Sequence, residues 1–366
     1  MHRLRVTTIA SLGVVRSRIP PLLIALAACE RTETTSTTSG KLDAGAAFDP
    51  LLLAPFQPVP KVAGTDTNPI TPEKVALGRM LYFDARLSKN HDVSCETCHK
   101  LGEYGVDNEA VSTGHRGQHG TRNAPTVYNA AIHFRQFWDG RSPDVEAQAT
   151  GPMMNPVEMA MPNEKRIVDT LRSMPAYVDA FGKAFPGEGE SVTLDNAAKA
   201  IGAFERELLT PSRWDQFLQG DRSALHPDEV AGLRKFVESG CQTCHFGPGM
   251  GGGMYQKFRL VMPWKDARDL GRFEITKQDT DRMVFKVPSL RNVDKTAPYF
   301  HDGSVATLPE AVRLMGRHQL GKELSDDDVN SIVVFLESLT GPLPTDLIQE
   351  PKLPPSTGAT PKPEPD

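Results

Sequence analysis

The sequence predicts a mostly α-helical fold built from two small domains of like layout. Three observations point there. Alternating runs of β-branched residues, the mark of half-buried strands, are scarce. Helix starts and stops can be read at many positions. A Cys-x-x-Cys-His unit occurs twice, at Cys95 to His99 and Cys241 to His245, and each has an amphipathic helix before and after it. Glycine and proline number 30 each, so long loops should join modest helices.

The elements follow in chain order. Residues 1–28 carry Arg3, Arg5, Arg16 and Arg18, no acid, and the apolar run Leu22 to Ala28 before Cys29. That pattern is an export signal, and Leu26-Ala27-Ala28-Cys29 resembles a bacterial lipoprotein cleavage box. Cys29 would then be the lipidated first residue of the mature chain; the rival is an ordinary secretory peptide cleaved nearby. Residues 29–54 read as a flexible tether, their first part rich in Thr, Ser, Ala and Gly. Thr71-Pro72 gives an N-cap with proline at the first helical position, ahead of Leu77 and Leu81. Residues 194–209 put Ile201, Phe204 and Leu208 on one face. His226 to Ser239 carries Val230, Leu233 and Val237 and stops at Gly240, next to Cys241. Thr307 caps a short helix expected to end with Met315 in its last turn, before Gly316. Ser325 and Asp328 open a last helix with Val329, Ile332, Val333, Leu336 and Leu339. The domains are expected at 55–208 and 209–342, and 343–366 as a proline-rich disordered tail, most clearly from Pro351.

A helix, a Cys-x-x-Cys-His unit, a long loop and a final helix make the layout of a cytochrome c domain. Two thiols three positions apart can bond both vinyl groups of one haem, and the adjacent histidine sits under the iron. Zinc and redox Cys-x-x-Cys motifs compete for this reading. The five cysteines favour haem: setting Cys29 aside, all four others lie in the two units, and none is left for a structural disulfide. Cys95, Cys98, Cys241 and Cys244 are thus expected to attach two haems c, with His99 and His245 as proximal ligands. Candidates for the sixth position are His91, His115, His119 and His133 near the first unit, and Met315, His301 and His318 near the second. Net charge is −5, and loss of the N-terminal arginines would make the mature chain more acidic. That disfavours nucleic-acid binding.

Further motifs carry a resemblance. They include Leu77-Gly78-Arg79, Phe83-Asp84, Arg86-Leu87-Ser88, Gly114-His115 and Arg122-Asn123-Ala124-Pro125-Thr126. Further on come Gln136-Phe137-Trp138-Asp139-Gly140-Arg141, Asn155-Pro156-Val157-Glu158-Met159 and Thr296 to Gly303. From about Pro69 to Leu339 the chain resembles the bacterial di-haem cytochrome c peroxidases, relatives of the di-haem enzyme that matures methylamine dehydrogenase.

The resemblance implies a division of labour. The N-terminal haem would be peroxidatic, with His115 as its displaceable distal ligand; His119 is the rival by residue type. The C-terminal haem would transfer electrons with His245 and Met315 as ligands, and methionine raises the potential relative to bis-histidine ligation. Glu158 matches the catalytic glutamate, a proton shuttle; Gln148 matches a glutamine of the distal pocket; Trp138 matches a tryptophan between the haems. A calcium ion would be held by the Asn123 side chain and the carbonyls of Thr296 and Pro298. The function implied is reduction of hydrogen peroxide with electrons from a small c-type cytochrome or blue-copper protein, in the periplasm, as a homodimer. Two rivals are an oxidase modifying a protein or small molecule, where tyrosine would stand in place of Met315, and a plain di-haem electron carrier.

Overall fold

The computed structural model describes residues 50–264 and 268–364; the signal peptide, Cys29 and most of the tether lie outside the described residues. No helix among the described residues is long and apolar enough to cross a membrane.

The chain is mostly helical. Its helices are α1 (Pro72–Phe83), the single turn α2 (Cys95–Cys98), α3 (Val145–Met154), α4 (Glu164–Arg172), α5 (Pro175–Ala184) and α6 (Leu194–Glu205). They continue with α7 (Arg213–Leu218), α8 (Pro227–Ser239), the short α9 (Phe273–Thr276), α10 (Leu308–Leu320) and α11 (Asp326–Glu337). One small antiparallel pair joins β1 (Tyr255–Lys257) to β2 (Val284–Lys286).

The caps are those the sequence announces. Thr71 Oγ1 accepts from Lys74 N at 3.3 Å, Ser325 Oγ accepts from Asp328 N at 3.1 Å, and Gly240 closes α8 at φ +94°. The helix after Thr307 differs from expectation. It runs through Gly316 to Leu320 and stops at Gly321, so Met315 sits in mid-helix. Gly316 is there for packing: a Cβ would meet the Leu324 side chain at 2.9 Å.

Each half is built on one helix crossing. Leu77, Leu81, Met153, Ile167, Phe181, Ile201 and their neighbours form the first core, adjoined by a smaller cluster around Tyr82, Tyr128 and Phe204. Trp214, Leu233, Phe236, Ile332, Phe335 and Leu336 lead the second. In the first half α1 crosses α6 so closely that a Cβ on Gly78 would lie 1.9 Å from Ala200 O and 2.9 Å from Phe204 Cβ. In the second half α8 crosses α11, where a Cβ on Gly232 would lie 2.0 Å from Ser331 O and 2.9 Å from Phe335 Cβ. A glycine on the helix before each Cys-x-x-Cys-His unit thus receives a phenylalanine from the closing helix, twice. Only glycine lets two backbones approach so far.

Both ends of the chain depart from the expected boundaries. Residues Pro50–Leu53, at the end of the expected tether, form a 3-10 turn, and Phe56 is buried in the second core, not the first. Its ring stands edge-on to Trp214 at 5.4 Å, and Gly247 N donates to Pro55 O at 2.9 Å. Burial of one such ring is worth roughly 1.5–3 kcal/mol, enough to hold a segment that composition alone leaves loose.

The tail expected to be disordered is ordered to Glu364 and lies over the first half. Leu343, Leu347 and Ile348 pack on the Tyr82–Tyr128 cluster. Arg79 Nε donates to Gln349 O (3.1 Å), Arg86 Nη1 to Ser356 Oγ (3.0 Å), Thr357 Oγ1 to Ser173 O (2.8 Å) and Arg166 Nη2 to Lys362 O (2.7 Å). A proline-rich segment cannot build its own core, which is why it reads as disordered. Here α1, α4 and their loops supply the partners. The ends therefore cross over, the N-terminal segment serving the second core and the tail the first.

Candidate functional site

The first unit sits on α2. Ser94 caps the turn, its N–H donating to Thr97 Oγ1 at 2.9 Å. This turn lifts Cys95 and Cys98 to one side, both half-buried and unpaired. Burial pushes the Cys95 and Cys98 thiols above the ordinary range and the Cys241 thiol to about 12. Redox and metal-binding thiols need the opposite, a lowered pKa in electropositive surroundings. Among the described residues no group of three or more His, Cys, Asp or Glu is arranged to hold a metal ion by itself. The chemistry of the donor set therefore fits thioether attachment better than thiolate ligation.

The two histidines are oriented alike. His99 Nδ1 faces Gly105 O at 3.4 Å, and His245 Nδ1 faces Met250 O at 3.2 Å. A carbonyl on Nδ1 fixes the tautomer and leaves Nε2 as the nitrogen with a lone pair, the arrangement of a metal-ligating imidazole. Desolvation by burial holds both below the usual imidazole range, His245 to about 4, so both are neutral and able to ligate. The second pair of thiols, His245 and Met315 line one largely apolar cavity of about 260 Å³. These residues fit a haem.

Around the first unit, the loop with His115 is docked on the turn after α3 that carries Glu158. His115 N donates to Glu158 O at 2.8 Å, and Gln118 Nε2 donates to both His115 O (3.1 Å) and Pro156 O (3.2 Å). Gly114 is required by this contact, since a Cβ would lie 2.2 Å from Val157 O. His115 is buried, and its Nδ1 has no hydrogen-bond partner among the described residues. His119 is exposed, its Nδ1 3.1 Å from Thr113 Oγ1 across the mouth of the same loop. The other candidates by residue type have different surroundings. His91 lies by Arg166 and Arg86, His133 and His301 line the cavity of the second unit, and the His318 ring lies tilted against Trp264 at 5.1 Å.

Glu158 follows α3. Asn155 Nδ2 donates to its Oε1 at 2.7 Å. Burial raises the Glu158 carboxyl above the usual range, opposed by the Asn155 bond and by the Arg141 charge. The field of Glu158 reaches the Cys98 thiol, which ties this acid to the first unit. Gln148 is half-buried on α3. Arg141 stacks on Phe137, its guanidinium carbon 3.3 Å from the ring centre. Asn155 and Arg141 were not assigned roles from sequence, although both lie inside motifs that stand out there.

Trp138, half-buried, joins the halves. Its Nε1 donates to Asn123 O at 2.9 Å, its carbonyl accepts from Lys286 N at 2.8 Å, and its ring meets His301 edge-on at 6.3 Å. It lines the cavity of the second unit, as do Asn123, Thr296 and Pro298. Asn123 Nδ2 donates to Glu109 O at 2.9 Å, and Asn123 N to His301 O at 2.8 Å. Arg122 reinforces this seam, bonding Asp139 and Asp269 at 2.6 Å each. Desolvation and those two carboxylates act on it in opposite senses; the carboxylates prevail and hold its guanidinium firmly charged.

Comparison with known proteins gives a consistent picture. Residues 72–223 match a family model described as di-haem cytochrome c peroxidase. Cytochrome c551 peroxidase of Pseudomonas aeruginosa is 48% identical over 84% of this chain and 90% of its own length. The protein of the same name from Nitrosomonas europaea is 44% identical over 92% of this chain and 99% of its own. Methylamine utilization protein MauG of Methylorubrum extorquens is 33% identical over 86% and 90%. Among solved structures, a MauG-like protein associated with microbial copper homeostasis superimposes with a TM-score of 0.69 at 29% identity, covering 80% of this chain and 95% of its own. The diheme peroxidase BthA of Burkholderia thailandensis, at 20% identity and TM-score 0.63, shares the fold.

Proposed function

The chain belongs to the di-haem cytochrome c peroxidase family, and from that premise we propose how its two halves divide the work. It is an oxidoreductase acting on hydrogen peroxide. Its first half is the peroxide site and its second half receives electrons. One observation carries this assignment: a buried histidine, His115, whose ring Nδ1 has no hydrogen-bond partner among the described residues, is tied through its backbone to Glu158, an acid whose carboxyl is raised by burial.

Cys95, Cys98 and His99 would hold one haem, and Cys241, Cys244, His245 and Met315 the other. Bound there, haem supplies an iron that exchanges single electrons and can accept peroxide at an open position. His115, carried on the loop docked against Glu158, would be the displaceable group facing that position. Glu158 takes a proton from the inner peroxide oxygen and delivers it to the outer one, so that water can leave. Asn155 keeps Oε1 aimed, and Gln148 contributes a neutral hydrogen-bonding group beside it. Each peroxide consumes two electrons and two protons and yields two waters. The electrons come singly from a small c-type cytochrome or a cupredoxin and pass by Trp138. Export to the periplasm, a lipid tether at Cys29 and a homodimer complete the reading.

Met315 favours the peroxidase over an oxidase that modifies another protein, and a plain electron carrier has no use for Glu158. The deciding assay half-reduces the holo-protein, adds peroxide with a reduced small cytochrome or cupredoxin, and follows donor oxidation. Absence of turnover in the wild type would end the peroxidase reading.

Two further results are expected. Trp138→Phe keeps an aromatic ring but loses the indole and its bond to Asn123 O, so inter-haem electron transfer should slow, by about tenfold if that bond is worth about 1.4 kcal/mol in the transfer geometry. Both haems should stay bound, and flash-photolysis or stopped-flow kinetics unchanged from wild type would remove Trp138 from the route. Calcium chelation should slow the opening at His115 and lower the thermal midpoint, because Asn123, Thr296 and Pro298 lie on the seam between the halves. A chelated protein with unaltered activation and melting would dismiss the calcium.

A further inference from the structure

Lys286, on β2, is a buried ammonium that pairs with no acid among the described residues. Its side chain lines the cavity of the second unit, together with Cys241, Cys244 and His245. The residue is 6% exposed. Its Nζ lies 3.2 Å from His133 Nδ1, and no carboxylate pairs with it among the described residues. The amine has no acceptor capacity, so it donates to Nδ1 and the imidazole proton sits on Nε2. That Nε2–H is itself buried and has no hydrogen-bond partner among the described residues. The imidazole is locked in place: a Cβ on Gly252 would lie 2.3 Å from its Cδ2, and Phe134 N donates to Gly252 O at 2.9 Å. The glycine-rich loop after Cys244-His245 is therefore shaped around His133.

A buried cation with only a neutral partner is costly, and so is a buried N–H with none. Two such groups against one cavity make an anion site. We propose that Lys286 and His133 form a carboxylate-binding site that holds a propionate of the haem attached at Cys241 and Cys244. The ammonium offers its remaining N–H groups and the charge; the imidazole, braced by the glycine loop, fixes the ammonium's direction. The pair acts as a positioning and charge-compensating device for this haem. A cation against a propionate disfavours the ferric form, which carries one more positive charge, and so raises the potential of the haem that receives electrons.

The proposal rests on the reading that Cys241 to His245 carries haem, and a haem count per chain tests that reading first. Two haems in the purified wild type leave the proposal standing; loss of the second haem refutes both. Redox titration of the holoenzyme then compares wild type with Lys286→Met and Lys286→Arg. In Lys286→Met the midpoint of the C-terminal haem should fall and acquire a pH dependence across neutrality as the uncompensated propionate titrates. The N-terminal midpoint should hold, and Lys286→Arg should restore wild-type values. A C-terminal midpoint that is unchanged in Lys286→Met overturns the proposal. Should that variant not accumulate with two haems, resonance Raman spectra of half-reduced wild type decide. A propionate bending band that shifts on hydrogen–deuterium exchange supports the amine contact, and one that does not shift excludes it.

Discussion

Glu158→Gln should lower peroxide turnover by about 10²–10⁴-fold while both haems stay attached, since that is the worth of a positioned proton shuttle. The substitution keeps shape and removes only the titrating oxygen. Asn155 can still hold the side chain, because its Nδ2 donates to Oε1, which glutamine retains. The backbone carbonyl at 158 still accepts from His115 N, so the loop should remain docked. The wild type should also show where the acid works. Burial raises the Glu158 carboxyl, so the carboxylate that begins the proton transfer is present above a pKa higher than the usual carboxylate value and is lost as pH falls through it. The acid limb of the turnover profile should therefore lie above the ordinary carboxylate range, and it should vanish in Glu158→Gln. Steady-state donor oxidation across pH, with a haem count on the same samples, makes the measurement. Turnover within a few-fold of wild type would remove Glu158 from the mechanism.

Arg291→Met should destabilise the protein by about 3–5 kcal/mol, the usual cost of stranding one member of a buried ion pair. The Arg291 side chain is 0% exposed and that of Asp215 4%. Nη1 and Nη2 donate to the two Asp215 oxygens at 2.6 and 2.9 Å, and Nε donates to Pro248 O at 2.9 Å. Asp215 also accepts from Val59 N (2.7 Å) and Ser212 N (2.6 Å). One pair thus ties together α7, the N-terminal segment and the loop that follows His245. Methionine fills much of the arginine's volume but leaves the carboxylate uncompensated. The denaturant midpoint should drop accordingly. Adding Asp215→Leu should recover part of the loss, because an apolar pair costs less than a lone buried charge. A midpoint within about 1 kcal/mol of wild type would mean that water reaches Asp215 once the arginine is gone.

The sequence was most informative where chemistry is confined to neighbouring residues. Two thiols and a histidine in five positions, a threonine before a proline, a glycine after an apolar stripe: each reports a local geometry, and α1, α8 and α11 start or stop where those signals lie. It was misleading where the deciding partner is distant. Gly316 looked like a helix stop and is a packing glycine, because Leu324 comes back against it. The tail looked disordered by composition, yet Arg79, Arg86 and Arg166 offer it hydrogen bonds that composition cannot see. Phe56 looked like a part of the first domain and belongs to the second core.

The sequence by itself therefore determined the cofactor class, the paired helix–thiol–helix plan and the family, since all of these are written in short contiguous motifs. Only the tertiary structure shows that His115 is buried while His119 is exposed, and that the backbone of Glu158 holds the His115 loop. It alone brought Lys286 and His133, far apart in the chain, to one wall of a cavity. The physical reason is the same in each case. Burial and the loss of a hydrogen-bond partner belong to a residue's surroundings, and those surroundings are assembled from segments that no local pattern connects.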